Sequence, residues 1–123
     1  MTVKELYNEI GGNYNNALSR LMKDRLIEKF ALKFLQDGTF NKLSESVQKE
    51  DWTEAFLDAH TLKGVAMNLA FDKLGESASA LTDALRPENV GNMNAADIKE
   101  LFGTVASDYS RTVGGINKYQ SEL

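Results

Sequence analysis

Apolar side chains recur at helical intervals along almost the entire chain. In the first segment the spacing i, i+3, i+4, i+7 is filled by Val3, Leu6, Tyr7 and Ile10. This spacing predicts a short amphipathic helix that ends at Gly11-Gly12, with Asn13 as the N-cap of the next helix. The pattern then continues from Tyr14 to Leu35 but slips in phase near Met22-Lys23-Asp24, which predicts a break there, with Asp24 as a cap.

Four longer helices are predicted between residues 40 and 119. Their apolar stripes contain Phe40, Leu43 and Val47 in the first; Trp52, Ala55, Phe56, Ala59, Leu62, Ala66 and Leu69 in the second; Leu74, Ala78, Leu81 and Leu85 in the third; and Ile98, Leu101, Phe102, Val105, Tyr109, Val113 and Ile116 in the fourth. The expected N-caps are Thr39, Asp51, Asp72 and Asn94, whose side-chain oxygens accept backbone N–H groups. Gly114-Gly115 is expected to kink or end the last helix, because glycine destabilises a helix interior.

These patterns predict an all-α fold in a single domain that spans residues 1–123. Residues 40–119 are expected to form an antiparallel four-helix bundle, with additional N-terminal helices over residues 3–37. The one proline, Pro87, falls in the longest predicted loop, residues 87–94. No segment shows the alternating pattern of a half-buried strand, so no sheet is expected.

The composition narrows the range of partners and chemistries. The chain has 14 Lys and Arg against 18 Asp and Glu, and this net charge of −4 argues against nucleic acid as a main partner. It has no cysteine, which excludes disulfides and thiol catalysis. No apolar run is long enough to span a bilayer and residues 1–5 lack the pattern of a signal peptide, so we expect no membrane association and a cytoplasmic location. No dimer interface is evident, and a monomer is expected.

The candidate chemistry lies in the second of the four longer helices. His60 is the only histidine and flanks the apolar stripe, so it is expected to be exposed; Lys63 and Gly64 follow three and four residues later, on the same helix face. One interpretation is a surface histidine beside an ordinary lysine, with the glycine serving close helix packing. The other is a site in which Lys63 neutralises an anion on the imidazole and Gly64 gives access to it. Because histidine is a nucleophile near neutral pH, this second interpretation predicts a phosphoryl acceptor.

A hydroxyl group of the neighbouring helix is expected to orient the imidazole. Two helices joined by a turn near Phe71 place residues at equal distances from the turn opposite each other, which pairs His60 with Thr82. Ser79 lies one turn nearer to the hairpin. Either hydroxyl can bind the second ring nitrogen. The alternative, held as equally good, is that both residues lie on a solvated face.

The segment Ala59-His60-Thr61-Leu62-Lys63-Gly64 resembles the signature of histidine phosphotransfer (Hpt) domains, which shuttle phosphoryl groups in multistep two-component signalling. The resemblance extends to Glu50-Asp51-Trp52, to Leu74-Gly75 and to Gly11-Gly12 after the short first helix, which all fit the layout of the family. It covers most of the chain, although it is weaker outside residues 50–75. The fold it implies is an antiparallel helical bundle with the histidine exposed in the middle of one helix.

The resemblance also implies roles for single residues. His60 would be the phosphorylated residue, Lys63 would contact the phosphoryl group, and Gly64 would permit access to it. The sequence departs from the family at two positions and in the Met22-Lys23-Asp24 region, which looks longer than in a typical member. Many members have glycine where Ala70 stands, and alanine is expected to fit the end of the histidine helix. Several members have glutamine where Thr82 falls, and threonine is shorter.

The function implied by the resemblance is that of a phosphoryl carrier, not an enzyme, without ATPase or kinase activity of its own. Its partners would be response-regulator receiver domains and a hybrid sensor histidine kinase. No cofactor is expected in this chain, because the resemblance assigns Mg²⁺ to the receiver domain. The chain also has no nucleotide-binding motif of the GxxxxGK[ST] or GxGxxG type.

Receiver docking is expected at apolar side chains around the histidine: Leu57, Met67, Phe71 and Leu18 or Tyr14. For Phe71 and Tyr14, a position in the core is the favoured alternative. Two other functions stay open at this point. A helical binding module could dock a receiver or kinase without transferring phosphate. A metal site inside the bundle is the weakest candidate, because it needs Glu-x-x-His pairs and the chain has one histidine.

Overall fold

The computed structural model describes all 123 residues, Met1–Leu123, and contains helices but no β-strand. Eight helices follow one another along the chain: α1 (Val3–Ile10), α2 (Tyr14–Leu21), α3 (Asp24–Phe34), α4 (Thr39–Gln48), α5 (Trp52–Asn68), α6 (Asp72–Leu85), the single turn α7 (Pro87–Val90) and α8 (Ala95–Ser121). The prediction of an all-α fold is confirmed. None of these helices is long and apolar enough to cross a lipid bilayer.

The helices pack into one helical bundle. Helix α5 contacts α4 and α6, α6 contacts α8, and α8 also contacts α4. The N-terminal helices lie against this group, with α1 in contact with α8, α2 and α3. One core cluster of 25 buried residues receives side chains from every helix except α7. The N-terminal helices and the later helices therefore share a continuous apolar interior.

The predicted break in the N-terminal region is present. Helix α2 ends at Leu21, Met22 has a φ of 69°, and α3 begins at Asp24. The predicted caps at Asn13 and Asn94 are also present, since their side-chain oxygens accept the backbone N–H groups of Asn16 at 2.9 Å and Asp97 at 2.8 Å. Each of these caps satisfies a donor that a helix start otherwise leaves unpaired.

Three other predicted caps are wrong by one position. Asp24, Thr39 and Asp72 are the first residues inside their helices, and the N-cap positions are occupied by Lys23, Gly38 and Phe71 without a side-chain cap bond. The carboxylates of Asp24 and Asp72 instead lie in the first helical turn, where negative charge is stabilised by the helix dipole. By contrast, Asp51 is the N-cap of α5, and its carboxylate accepts the N–H of Glu54 at 3.2 Å.

The glycine pair in α8 does not end the helix, which continues to Ser121. Gly115 is buried, and a Cβ atom placed on it would collide with Cγ2 of Ile10 in α1. Gly114 is exposed, and a Cβ atom there would meet no atom within 4 Å. Close packing of α1 on α8 therefore accounts for Gly115. Gly114 lowers helix stability, and no packing contact explains it.

The turn between α5 and α6 is held by the N-terminal segment. The N–H of Asn13 donates to the carbonyl of Ala70 at 2.9 Å, and the buried hydroxyl of Tyr7 donates to the carbonyl of Leu69 at 2.7 Å. Burial raises the pKa of Tyr7, so it stays a neutral donor. Ala70 lies beyond the end of α5 and has a φ of 56°, which corrects the expectation that it fits the helix end. A left-handed residue at this position favours glycine.

The two glycines of α8 yield a matched prediction. We expect Gly115→Ala to lower the free energy of unfolding by about 1–3 kcal/mol, because the added methyl group overpacks the contact with Ile10. We expect Gly114→Ala to raise it by up to about 1 kcal/mol, because alanine favours the helix and meets no neighbour. Urea unfolding followed by circular dichroism measures both changes. Equal destabilisation by the two substitutions would contradict the packing of α1 on α8.

Candidate functional site

The apolar stripe of α5 sets the direction in which its other residues point. Small and medium side chains on one side of the helix are fully buried, and they are Ala55, Ala59, Leu62 and Ala66. His60 follows one of these residues, flanks the stripe and is exposed near the middle of α5. The predicted exposure of the histidine is therefore confirmed.

A buried polar pair also fixes the rotation of α5. Asp58 is only 8% exposed, and the Ser46 hydroxyl of α4 donates to its Oδ2 at 2.9 Å. A buried carboxylate without a partner would be costly, so this bond opposes any rotation that breaks it. The sequence analysis missed the pair. Its signal was an aspartate that falls beside Ala55, Ala59 and Leu62 in an otherwise apolar helix face.

Gly64 is exposed, and a Cβ atom at this position would meet no atom within 4 Å. Internal packing therefore gives no reason for a glycine in the interior of α5. Side chains on a helix lean toward its N-terminus, so a side chain at position 64 would lie over the turn that carries His60. The missing side chain leaves the outer side of the imidazole uncovered. Lys63, the residue before Gly64, is half-buried, and helix geometry directs its side chain toward the same turn.

On the side away from Gly64, the imidazole of His60 lies beside the aromatic ring of Phe56. The ring centroids of Phe56 and His60 are 6.1 Å apart, and the ring planes differ by 25°. The guanidinium carbon of Arg86 lies 5.8 Å from the centroid of the same Phe56 ring. The sequence places Phe56 on the apolar stripe of the helix, and the structure shows it half-buried and packed against the core cluster; its contact with the histidine was not predicted. The available signal was its i, i+4 spacing to the histidine.

The register between α5 and α6 agrees with the pairing expected from the sequence. Gly75 packs against Met67 near the turn, and Arg86 packs against Phe56 at the far end. These two contacts place Thr82 opposite the histidine.

Neither predicted orienting hydroxyl is bonded to His60. Thr82 is fully buried, and its hydroxyl donates to the carbonyl of Ala78 at 2.7 Å. This hydroxyl therefore lies in the protein interior, because position 82 is on the buried face of α6. Ser79 is half-buried and lines a surface groove of about 360 Å³ together with Met67. No hydrogen bond within the chain involves the imidazole.

The residues predicted to dock a receiver fall into two groups. Leu57 and Met67 are exposed by 52% and 48%, and both are on α5; Leu18 and Tyr14 of α2 are half-buried. Phe71 is fully buried between Tyr7 and Phe34, with ring centroids at 5.6 Å and 5.3 Å. The prediction that it docks a partner is wrong, because the turn between α5 and α6 directs its ring into the core.

The chain has no group of three or more His, Cys, Asp or Glu side chains arranged to hold a metal ion. The chemistry available on this surface is therefore that of one imidazole, one ammonium group and an open approach to both. Such a surface can accept an anionic group on a ring nitrogen and offer it a positive charge.

Comparison with curated proteins and with solved structures gave no match. The sequence profile of the Hpt domain family matches residues 33–108, which is more than half of the chain. The matched segment contains His60, Lys63 and Gly64 and leaves α1, α2 and most of α3 outside. Hpt domains are phosphotransfer carriers rather than catalytic enzymes, and they interact with receiver domains and kinases in phosphorelays. The chain belongs to the Hpt domain family and takes part in phosphorelay signalling.

Proposed function

We propose that His60 accepts a phosphoryl group from the aspartyl phosphate of one receiver domain and passes it to the aspartate of a second. The observation that carries this proposal is the open approach to the imidazole. Like Gly103 and Gly114 of α8, Gly64 is exposed and has no packing neighbour, but it alone lies one helical turn from the histidine, so we attribute it to access to the imidazole. A phosphoryl group and the receiver that carries it both need this space.

The transfer forms one bond and breaks one. The lone pair of Nε2 of His60 attacks the phosphorus atom, and the P–O bond to the receiver's aspartate breaks as the P–N bond forms. The carboxylate leaves with the electron pair of the broken bond, and Nδ1 keeps its proton. Transfer to the second receiver runs the same step in reverse. Such a reaction requires mainly positioning and neutralisation of charge.

Lys63 supplies positive charge to the phosphoryl group. It lies three residues after His60, is half-buried, and forms no ion pair within the chain that would hold its ammonium group elsewhere. A hydrogen bond to a charged group contributes about 1.5–3 kcal/mol. The receiver domain would add its own Mg²⁺, which no side-chain cluster of this chain is built to hold.

The proposal extends to architecture and partners. Helices α4, α5, α6 and α8 form an antiparallel four-helix bundle within a single domain, which holds the site on α5. The protein acts as a monomer between a hybrid sensor histidine kinase and a response regulator, without kinase or ATPase activity of its own. Leu57 and Met67, the exposed apolar residues of α5, make the first contacts with the receiver, and Leu18 adds to them from α2.

The first test is phosphoryl transfer from a receiver domain phosphorylated with labelled phosphate. We expect label to move to the wild-type protein and not to His60→Gln, whose side chain has no nucleophilic nitrogen. The label should be lost in acid and retained in base, as is expected of a phosphorus–nitrogen bond.

Equal labelling of the wild-type protein and His60→Gln would refute the assignment of the acceptor. Calorimetric titration with the same receiver separates a carrier from a binding module. Binding without any transfer to the wild-type protein would favour the binding module.

The second test separates access from stability. Leucine at position 64 would lean over the imidazole, so we expect Gly64→Leu to slow transfer by about tenfold or more, as misplacement of reacting groups does. The same substitution should raise the free energy of unfolding by up to about 1 kcal/mol, since leucine favours the helix. Gly103→Leu in α8 is the matched control, because Gly103 is also exposed and without neighbours. It should gain stability and keep full transfer; unimpaired transfer by Gly64→Leu would contradict the proposal.

The third test concerns the charge beside the histidine. Removal of one charged hydrogen bond corresponds to a factor of roughly ten to one hundred in rate. We therefore expect Lys63→Gln to slow transfer by that factor in single-turnover measurements at saturating receiver. Lys4→Gln removes an exposed lysine from α1 and should leave the rate unchanged. A rate for Lys63→Gln equal to that of Lys4→Gln would exclude Lys63 from the phosphoryl site.

A further inference from the structure

We propose that Phe56 is the residue that positions the His60 imidazole for phosphoryl transfer. The proposal rests on the proposed function for the role of His60, and on the geometry of α5 for the role of Phe56. In this proposal the imidazole is oriented by the aromatic ring of Phe56 and not by the hydroxyl of Thr82. Phe56 is a positioning residue, because it touches the nucleophile and not the reacting phosphorus atom.

The geometry of a helix brings the two rings together. Phe56 precedes His60 by four residues, and the side chain of His60 leans back over the turn that carries Phe56. The centroid distance of 6.1 Å falls within the range in which offset aromatic rings attract each other, and the planes are within 25° of parallel. The imidazole thus has an aromatic neighbour on its N-terminal side and open space on the side of Gly64.

Phe56 is itself held in place, which a positioning residue must be. Its ring is half-buried and packs against the core cluster, and one side of it lines an apolar cavity of about 300 Å³ with Leu85 and Val90. The guanidinium carbon of Arg86 lies 5.8 Å from the ring centroid, within the distance of a cation–π contact. The Nε of Arg86 in turn donates to Oδ1 of Asp83 at 3.1 Å on the protein surface.

An aromatic contact suits this histidine better than a hydrogen bond from Thr82. The threonine hydroxyl is committed to the carbonyl of Ala78 and lies in the core, whereas the imidazole is exposed. Stacking limits rotation of the imidazole without occupying either ring nitrogen. One nitrogen stays free to form the bond to phosphorus, and the other keeps its proton in contact with solvent or the partner.

The test compares Phe56→Leu, which removes the ring, with Phe56→Tyr, which keeps it. In the unphosphorylated protein without any partner, the ring-proton NMR signals of His60 should shift toward random-coil positions in Phe56→Leu and stay near wild type in Phe56→Tyr. Phe102→Leu is the matched control: Phe102 is also half-buried and stacked, on Phe40 at 5.5 Å, and lies outside the site. It should leave the His60 signals unchanged.

Transfer kinetics at varied receiver concentration decide the role. We expect Phe56→Leu to lower the maximal rate constant by about tenfold while the half-saturating receiver concentration changes less than twofold, because orientation and not docking is lost. Phe56→Tyr and Phe102→Leu should retain at least half of the wild-type rate constant. Thermal unfolding of all variants identifies any loss of folded protein.

Two results would overturn the proposal. An unchanged maximal rate with a raised half-saturating concentration would make Phe56 a docking residue. Unchanged His60 signals in Phe56→Leu would mean that the rings do not contact each other in solution. Failure of the proposed function is distinguishable from both, because the wild-type protein would then accept no label, whereas the NMR comparison needs no transfer.

Discussion

The direction in which His60 points depends on how α5 is packed between α4 and α6. The buried side of α5 consists largely of alanine, and such small side chains permit close contact on both flanks. Asp58, bonded to Ser46 of α4, adds a polar constraint that a rotated helix could not satisfy. Because the rotation of the helix is fixed in this way, the side chain at position 60 points outward. The exposure of the histidine is therefore a property of the core beneath it.

Phe56, His60, Lys63 and Gly64 all lie on α5, and this explains why one side of the imidazole is covered and the other is open. All side chains of α5 lean toward its N-terminus, so the imidazole rests toward Phe56 and its C-terminal side faces the space above Gly64. A glycine inside a helix costs about 1 kcal/mol relative to alanine. At Gly115 the contact with Ile10 explains that cost, and at Gly64 no contact does.

The same locality explains what could be predicted from the sequence. The seven longer helices, the break near Met22 and the exposure of His60 follow from periodicity and chain-local spacing, whereas three helix starts are wrong by one position and the short helix α7 lies in a predicted loop. The inward direction of Thr82 also follows from spacing, because it lies four residues after Ala78 and three before Leu85 of the apolar stripe. The interior position of Phe71 depends instead on how the turn faces the core, which spacing along the chain does not determine. The sequence predicts a kink or an end at Gly114-Gly115, because Ile10, which packs on Gly115, is remote in sequence. The contact of Phe56 with His60 could have been predicted from the sequence, because residues four positions apart are neighbours on a helix.

The N-terminal helices lie mostly outside the segment that matches the family, yet they hold the helix that carries the site. The Tyr7 hydroxyl donates to the carbonyl of Leu69, and the Asn13 N–H donates to the carbonyl of Ala70. Both carbonyls lie just beyond the end of α5 and have no partner within that helix. These bonds also explain how an alanine persists with a left-handed backbone, because the surrounding contacts over-determine its conformation. The start of α5 is capped by Asp51, so both of its ends are fixed. The histidine therefore lies on a helix that has little freedom to fray at either end.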